Sequence, residues 1–324
     1  MTNFEVYKKT LKFSIVSFLV GLLQLAIVIG AAVAGFFMMD KATDKALIGL
    51  VVGFLIGLVI SILISVFVIN KIKAAQIAMM AIGVVDHKLP DNVYQAGFAE
   101  VKGRFAKITG FFIVMGLIKG VFRQIGRGIT KVGQAVGGNT GGSIGSMIDS
   151  GIQILISYLA DCCLGWVMYN KEKGVAEAAC EGAVIFFKRG KTLIRNVGRI
   201  FGMGFLSLVV IGGVFFGISY LISNQLPYLF NELAREITEF ATRENITDLP
   251  EFFKDPKMLM LVICAFIALA LWSIIHSVLI RPFILVGVLN NFMKSGLEEK
   301  ITNEDFEAVA KKSPKFAKLR AKEI

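Results

Sequence analysis

Six charged side chains and one histidine interrupt apolar stretches of this chain and are the first candidates for chemistry. Asp149 and Asp161 lie in the segment 143–170, which is otherwise apolar. Ionisable groups in such a setting bind a substrate or ion, move protons, or pair with an opposite charge. His276 lies near the end of another apolar run, where an interfacial position is commoner than a role in proton transfer. These three residues are the candidates for a polar interior.

Four cations precede the two aspartates at a constant spacing of four residues: Lys119, Arg123, Arg127 and Lys131. On a helix this spacing drifts by only about 40° per step, so the four side chains form one slowly winding stripe. Because cations facing lipid are costly, the stripe must face protein, water or headgroups. It is therefore the candidate contact for an anion or for anionic lipid headgroups. A purely structural pairing between the stripe and the aspartates is the alternative.

Long charge-free runs are the elements that must position these groups. A transmembrane helix needs about 20 apolar residues. The chain has 55% hydrophobic and 18% charged residues, against about 25% charged residues in soluble domains. We therefore predict an all-α, polytopic membrane protein with a single membrane domain and four firm spans, at residues 13–39, 46–70, 200–222 and 258–280. Gly53 and Gly57 form a GxxxG face for close helix packing in the second span.

The charges between the runs predict the orientation of the chain. Segments 71–107, 171–199 and 281–324 are basic and are expected on the cytoplasmic side, whereas loop 223–257 is acidic and is expected outside. The protein is then expected in the cell membrane, with both of its termini on the cytoplasmic side. Residues 72–85 read as an amphipathic helix that lies along the membrane surface.

Segment 108–170 is expected to form a helical hairpin that turns near the glycine-rich residues 138–142. Its first arm carries the basic stripe and its second arm carries Asp149 and Asp161. Both flanks of the segment are basic, so the chain crosses the membrane twice here or not at all. In one arrangement the arms span the bilayer and line a polar interior. In the other they are re-entrant or interfacial and the stripe contacts anionic lipid.

Several functional classes are disfavoured by the sequence. The net charge of +11 flanks apolar runs and is not gathered in one basic domain, so we expect no nucleic-acid partner. No catalytic motif is recognisable, so we expect no enzyme, no cofactor and no metal site. The partners expected are the lipid bilayer, anionic headgroups, and a second copy of the chain or another membrane protein.

The stretch from Tyr158 to Phe201 resembles bacterial polytopic membrane proteins in which a basic amphipathic helix joins two spans. It is also similar to choline-transporter-like proteins, through the Ala- and Cys-rich helix 175–187, the pair Arg195-Asn196 and the span that follows. This resemblance implies a solute carrier. No substrate-contacting residue of that family can be matched to a position of this chain.

Two functional hypotheses follow from the sequence. In the first, the chain is a carrier or channel-like protein for a small solute or lipid, and Asp149 and Asp161 bind or balance a cationic group. In the second, it is a non-transporting membrane scaffold that presents basic cytoplasmic helices to anionic lipid or to a protein partner.

Overall fold

The structure is a computed structural model that describes residues 1–43, 46–104, 116, 118–121, 142–194, 197–243, 246 and 249–321. Within these ranges, the side chains of residues 40–43, 142–152, 190–194 and 197–200 fall outside the description. The described residues form helices and no strand, as the sequence predicts. The helices are α1 (Asn3–Thr43), α2 (Ala46–Ile64), α3 (Asn70–Val85), α4 (Val93–Arg104), α5 (Gly142–Tyr169), α6 (Val175–Ile194), α7 (Val197–Ser207), α8 (Gly213–Ser223), α9 (Pro227–Arg243), α10 (Glu251–Lys254), α11 (Pro256–Ile275), α12 (Arg281–Glu298), α13 (Asn303–Lys312) and α14 (Pro314–Arg320).

Three short π-helical segments connect consecutive helices without a loop. Ser65–Ile69 connects α2 to α3, Leu208–Gly212 connects α7 to α8, and His276–Ile280 connects α11 to α12. Pro282 follows the last of these segments, and its missing backbone donor is compatible with a helix that has just made a wide turn. The helix continues through Pro282 to Glu298.

Four apolar helical stretches of the described chain are long enough to cross a membrane: Asn3–Met39, Ala46–Val85, Phe201–Ser223 and Pro256–Glu298. This confirms the four long apolar helices expected from the sequence. Three of them have 37, 40 and 43 residues, which at 1.5 Å per residue is about 55–65 Å of helix. A hydrocarbon core is about 30 Å thick, so a large part of each long helix needs a different environment.

The chain divides into two compact units that cut across these long helices. Unit 1 consists of Met1–Ile15, Asn70–Gly202 and Arg281–Ile324, and unit 2 of Val16–Ile69 and Met203–Ile280. Unit 1 has a dense interior in which Phe13, Met80 and Phe292 are completely buried.

Exposed apolar side chains distinguish the two units. Of the large apolar side chains that are exposed in the described residues, all but six belong to unit 2, and the exceptions are Phe4, Ile15, Ile154, Phe201, Phe283 and Leu297. Extensive exposed apolar surface marks a region that another apolar phase covers. Unit 2 therefore has the surface of a membrane-embedded bundle, and the described part of unit 1 exposes far fewer large apolar side chains.

Charge separates the two units in the same way. Unit 1 has 29 Lys and Arg residues against 15 Asp and Glu residues, a net charge of +14, and unit 2 has six against nine, a net charge of −3. The two values add up to the +11 of the whole chain. The basic character of the protein therefore belongs entirely to unit 1.

Helix α3 differs from the amphipathic surface helix that we predicted over residues 72–85. Ile72 and every residue from Ala74 to Ala81 are buried, so α3 is covered on all of its faces and not on one. The amide of Gln76 donates a hydrogen bond to Ser14 Oγ at 2.9 Å, which satisfies a polar group inside this packing. The small side chains of α3 allow α4, α5 and α12 to pack around it. Within unit 1, α3 is a central helix.

In unit 2, helices α1 and α2 approach each other at glycines. A Cβ atom at Gly53 would collide with the backbone carbonyl of Ala31, and one at Gly57 would come within 2.8 Å of Val28 Cα. Gln24 of α1 donates a hydrogen bond to the Ser61 carbonyl of α2 at 2.6 Å. Backbone contact and one buried amide therefore hold this helix pair together.

The charged sequence from Lys294 onward predicts a tail of one helix, but the structure has three helices there, of which the first begins already at Arg281. Helix α12 belongs to the interior of unit 1, and α13 and α14 follow as two short helices. Val309, Phe316 and Leu319 are buried, which shows that both short helices are packed. Lys188 of α6 forms ion pairs with Glu299 at 2.8 Å and with Asp305 at 2.9 Å.

Candidate functional site: the Asp161 bridge

Asp161 is at the centre of the most highly charged buried site among the described residues. It lies on α5 and is completely buried. Lys73 Nζ, from α3, lies 2.8 Å from Oδ1, and Arg281 Nη2, from α12, lies 2.7 Å from Oδ2. Each carboxylate oxygen thus has its own cation, and each cation comes from a different helix. We call these three residues, all in unit 1, the Asp161 bridge.

The local sequence of α5 supplies further contacts to the arginine of the bridge. Arg281 Nη2 also donates a hydrogen bond to Ser157 Oγ, and the guanidinium lies over the Tyr158 ring, 5.3 Å from its centroid. Ser157 and Tyr158 precede Asp161 by four and three residues, so all three point to the same side of the helix. This face of α5 therefore holds the guanidinium by charge, by a hydroxyl and by an aromatic ring.

The site carries more positive than negative charge. One carboxylate faces two cations, and their side chains remain 31% (Lys73) and 24% (Arg281) exposed, whereas Asp161 is 0% exposed. Lys119 adds a third positive charge in the electrostatic environment of Lys73. An anion that approaches from the exposed side therefore meets a surplus of positive charge.

Three buried polar atoms of the site have no hydrogen-bond partner within the described part of the chain. Two of them are donors, the hydroxyl of Tyr158, whose residue is only 2% exposed, and Nε of Arg281. The third is Asp161 Oδ1, whose contact with Lys73 Nζ at 2.8 Å is an ion pair. Buried polar groups in native proteins are generally satisfied by protein or by ordered water. The Asp161 bridge therefore still offers two unused donors.

The other predicted site residues lie elsewhere or outside the description. Asp149 belongs to α5, twelve residues before Asp161, and its side chain falls outside the described residues. His276 begins a π-helical segment of unit 2, where its ring lies 5.2 Å from that of Trp272. Lys119 is exposed, and the stripe residues Arg123, Arg127 and Lys131 fall outside the described residues.

Asp161 is paired, but its ion-pair partners among the described residues are not the cations of the stripe. Lys73 and Arg281 take that position, although the sequence places each of them just beyond the end of a predicted span, 46–70 or 258–280. A usable signal was present, because the apolar sequence continues beyond each cation, through Ala74–Val85 and through Pro282–Met293. A cation inside a continuing apolar run needs a buried anion, and few carboxylates were available to supply it.

A second charged cluster connects the C-terminal helices of unit 1 to α6. Arg189 Nε donates to Glu299 Oε2 at 2.7 Å, next to the ion pair of Lys188. The hydrogen bonds from Lys188 and Arg189 lower the pKa of Glu299 below its usual range. The backbone N–H of Thr302, followed by Lys188, lowers the pKa of Asp305 in the same way. Both carboxylates are therefore ionised at neutral pH. Glu299 holds the connection between α12 and α13 on α6, and Asp305 holds α13 on α6.

The Asp161 bridge can connect three helices and attract an anion. It is poorly suited to bind a cationic group, because the carboxylate that would receive it already has two cationic partners. Comparison of the chain with models of known protein families, with curated proteins and with solved structures gives no match. The resemblance to choline-transporter-like proteins therefore stays a prediction.

Proposed function

We propose that this chain is a non-transporting membrane scaffold: unit 2 anchors it in the bilayer, and unit 1 lies on the cytoplasmic side and binds anionic lipid headgroups. The observation that carries the proposal is the burial of Asp161 between Lys73 and Arg281. A residue that binds and releases a cationic solute must be able to exchange its partner. A carboxylate with two protein cations fixed by packing serves the structure of unit 1.

The sequence of the spans supports the same conclusion. The charge-free runs 13–39, 46–70, 200–222 and 258–280 contain no carboxylate or ammonium group that could accompany an ion across the membrane. Intramembrane ionisable residues generally mark the pathways of ions and charged substrates. Two polar side chains within the spans of unit 2 are instead engaged by protein: Trp272 Nε1 donates to Ser207 Oγ at 3.2 Å, and Gln24 Nε2 donates to the Ser61 carbonyl at 2.6 Å.

Lipid recognition and orientation follow from the charge of unit 1. Basic segments next to a span are retained on the cytoplasmic side, where anionic lipids attract each Lys or Arg near the surface by about 1 kcal/mol. Unit 1 has a net charge of +14. Within it, the stripe Lys119, Arg123, Arg127 and Lys131 remains our candidate for headgroup contact, together with the surplus charge of the Asp161 bridge.

Two measurements on the purified full-length chain test this function. In proteoliposomes, we expect flux of cationic, anionic and zwitterionic solutes to equal that of protein-free vesicles. In nanodiscs of mixed phosphatidylglycerol and phosphatidylcholine, we expect native mass spectrometry to show retained lipid enriched in phosphatidylglycerol. A saturable flux of any of these solutes above that of protein-free vesicles would replace the scaffold with a carrier. Equal retention of the two lipids would refute the headgroup function.

A further inference from the structure

A groove in unit 1 brings lysines and apolar side chains together at the beginning of α1. Its volume is about 800 Å³, which lies within the range of about 300–1,000 Å³ that is usual for small-molecule sites. One wall is the first four turns of α1, and the other is the connection between α3 and α4. The lining residues are Met1, Glu5, Lys8, Lys9, Leu11, Lys12, Ile15, Leu89, Pro90, Asp91 and Val93.

The polar part of the groove is basic. Lys8, Lys9 and Lys12 are exposed, and none of them forms an ion pair with a carboxylate of the described residues. Positions 8 and 12 lie one above the other on the helix, and position 9 is adjacent to both. Two carboxylates, Glu5 and Asp91, also line the groove, and Glu5 already accepts the Thr2 backbone N–H at 2.6 Å.

The rest of the lining is apolar. Leu89 and Val93 are buried, and Leu11 and Ile15 continue the apolar surface along α1. A free phosphate would neutralise the lysines but would leave this wall uncovered. A ligand with an anionic head and an adjacent hydrocarbon part covers both, and phospholipids have this composition.

The position of the groove along the chain points to the same ligand. Lys12 is the last charged residue before the charge-free run 13–39, in which α1 continues without a break. Lys12 therefore directly precedes the hydrocarbon-compatible part of the same helix, and Lys8 and Lys9 precede it by between one and two turns. Basic pockets at this level of a span are where anionic headgroups bind.

The α3–α4 wall is held in place before any ligand arrives. Tyr169 Oη donates to Asp86 Oδ1 at 2.8 Å, and Asn92 Oδ1 accepts the Gln95 backbone N–H at 3.1 Å at the start of α4. Between them, His87 has a φ of 52°, in the left-handed region. A wall fixed in this way costs little further ordering when a ligand binds.

We propose that this groove binds one anionic phospholipid, with its phosphate on Lys8, Lys9 and Lys12 and its first acyl carbons against Leu11, Leu89 and Val93. The inference rests on the proposed function, because it needs unit 1 to lie at a membrane surface. It adds a specific site, which the general charge of unit 1 does not require.

The experiment uses the full-length chain in neutral detergent, titrated with dioctanoyl phosphatidylglycerol and observed by native mass spectrometry. The test variant combines Lys8→Gln, Lys9→Gln and Lys12→Gln. The matched control combines Lys300→Gln, Lys311→Gln and Lys318→Gln, which removes the same charge from exposed positions of unit 1 outside the groove. We expect the test variant to bind roughly a hundredfold more weakly, and the control to bind like the wild type.

A single substitution supplies a test in the opposite direction. Asp91→Asn removes a negative charge from the lining, and we expect it to strengthen phosphatidylglycerol binding about fivefold. It also keeps the proposal falsifiable if the triple variant does not fold. Unchanged or weaker binding by Asp91→Asn contradicts the proposed site.

The remaining outcomes separate this inference from the proposed function. If the wild type prefers phosphatidylglycerol over dioctanoyl phosphatidylcholine but the test variant and the control lose equally little affinity, the groove is not the site and the scaffold function stands. If the wild type shows no preference, both proposals fail. If inorganic phosphate or an oligoglutamate peptide displaces the lipid at equal concentration, the groove binds an anion of another class and the lipid proposal is overturned.

Discussion

A carboxylate that is removed from water needs charged or hydrogen-bonding partners within reach. Asp161 has such a partner for each oxygen, and the two cations belong to helices that are far apart in the sequence. Lys73 and Arg281 are separated by more than 200 residues, so this contact connects the beginning, the middle and the end of the chain. The Asp161 bridge therefore specifies how α3, α5 and α12 fit together.

We expect Asp161→Asn to destabilise unit 1 by about 3 kcal/mol, because it leaves two partly buried cations without a counter-charge. The measurement is the midpoint of thermal unfolding of the purified protein in detergent. Glu172→Gln is the matched control, since Glu172 is an exposed carboxylate just beyond the end of α5, and we expect it to change stability by less than about 0.5 kcal/mol.

A rescue variant shows whether the loss of stability in Asp161→Asn comes from the unpaired charges or from the changed shape of the site. Asp161→Leu combined with Lys73→Met and Arg281→Met replaces all three charges with apolar groups, and we expect it to recover most of the lost stability. If Asp161→Asn unfolds at the same temperature as the control, the bridge does not hold unit 1 together.

At the scale of the helices, the size of the side chains determines which faces of two helices can come into close contact. Gly53 and Gly57 allow the backbone of α2 to contact α1, and a Cβ at Gly53 would meet the Ala31 carbonyl. The chain also offers a glycine without this constraint. A Cβ at Gly30, on α1, would meet no atom within 4 Å.

We predict that Gly53→Ala destabilises unit 2 and that Gly30→Ala does not. The new methyl group at Gly53 forces the two helices apart and destabilises the protein by about 1–3 kcal/mol. The methyl group at Gly30 enters open space and improves helix propensity, so the variant gains up to about 1 kcal/mol or is unchanged. Thermal unfolding in detergent measures both, and equal midpoints would show that α1 and α2 do not depend on this close approach.

The sequence was sufficient to predict the long apolar helices, but it was not sufficient to predict how the helices of unit 1 pack. The runs around Leu19 and Leu55 contain no charge over more than twenty residues, and this pattern by itself predicts helices. Helix α3 is also mainly apolar, with Ala and Met where these runs have Leu and Val, but it is covered by protein. Local periodicity does not reveal what covers an apolar face, so a helix buried on all sides was taken for a surface helix.

The same limit applies to the candidate site. Asp161 was predicted because it interrupts an apolar segment, which is a local property. Its partners were not predicted, because Lys73 and Arg281 are brought to it by tertiary packing, and one sequence does not record which distant residues meet. Asp149 satisfies the same local criterion as Asp161, which shows that the criterion proposes candidates and does not choose between them.

At the scale of the whole molecule, exposure and charge both differ between the two units. Exposed apolar side chains are concentrated in unit 2, and the net positive charge is concentrated in unit 1. The exposure of a side chain depends on packing, whereas net charge depends only on composition. Their agreement supports a protein whose two units are adapted to different solvents.

Single cysteines test the orientation that we propose. Lys300→Cys in unit 1 and Glu239→Cys in unit 2 are exposed positions, and all four natural cysteines are buried. With a membrane-impermeant maleimide on intact cells, we expect labelling of Glu239→Cys alone, because the positive-inside rule keeps unit 1 cytoplasmic. In inverted membrane vesicles the pattern should reverse. Labelling of Lys300→Cys in intact cells would contradict the orientation.

The π-helical segments Ser65–Ile69 and His276–Ile280 end directly before Asn70 and Arg281, where the chain enters unit 1. A π turn accommodates one more residue than an α turn, and each residue of an α-helix rotates the following side chains by about 100°. The angular phase of α3 and α12 is therefore offset from that of α2 and α11. A π turn just before Asn70 and another just before Arg281 therefore change the direction in which Lys73 and Arg281, the two cationic partners of Asp161, leave their helices.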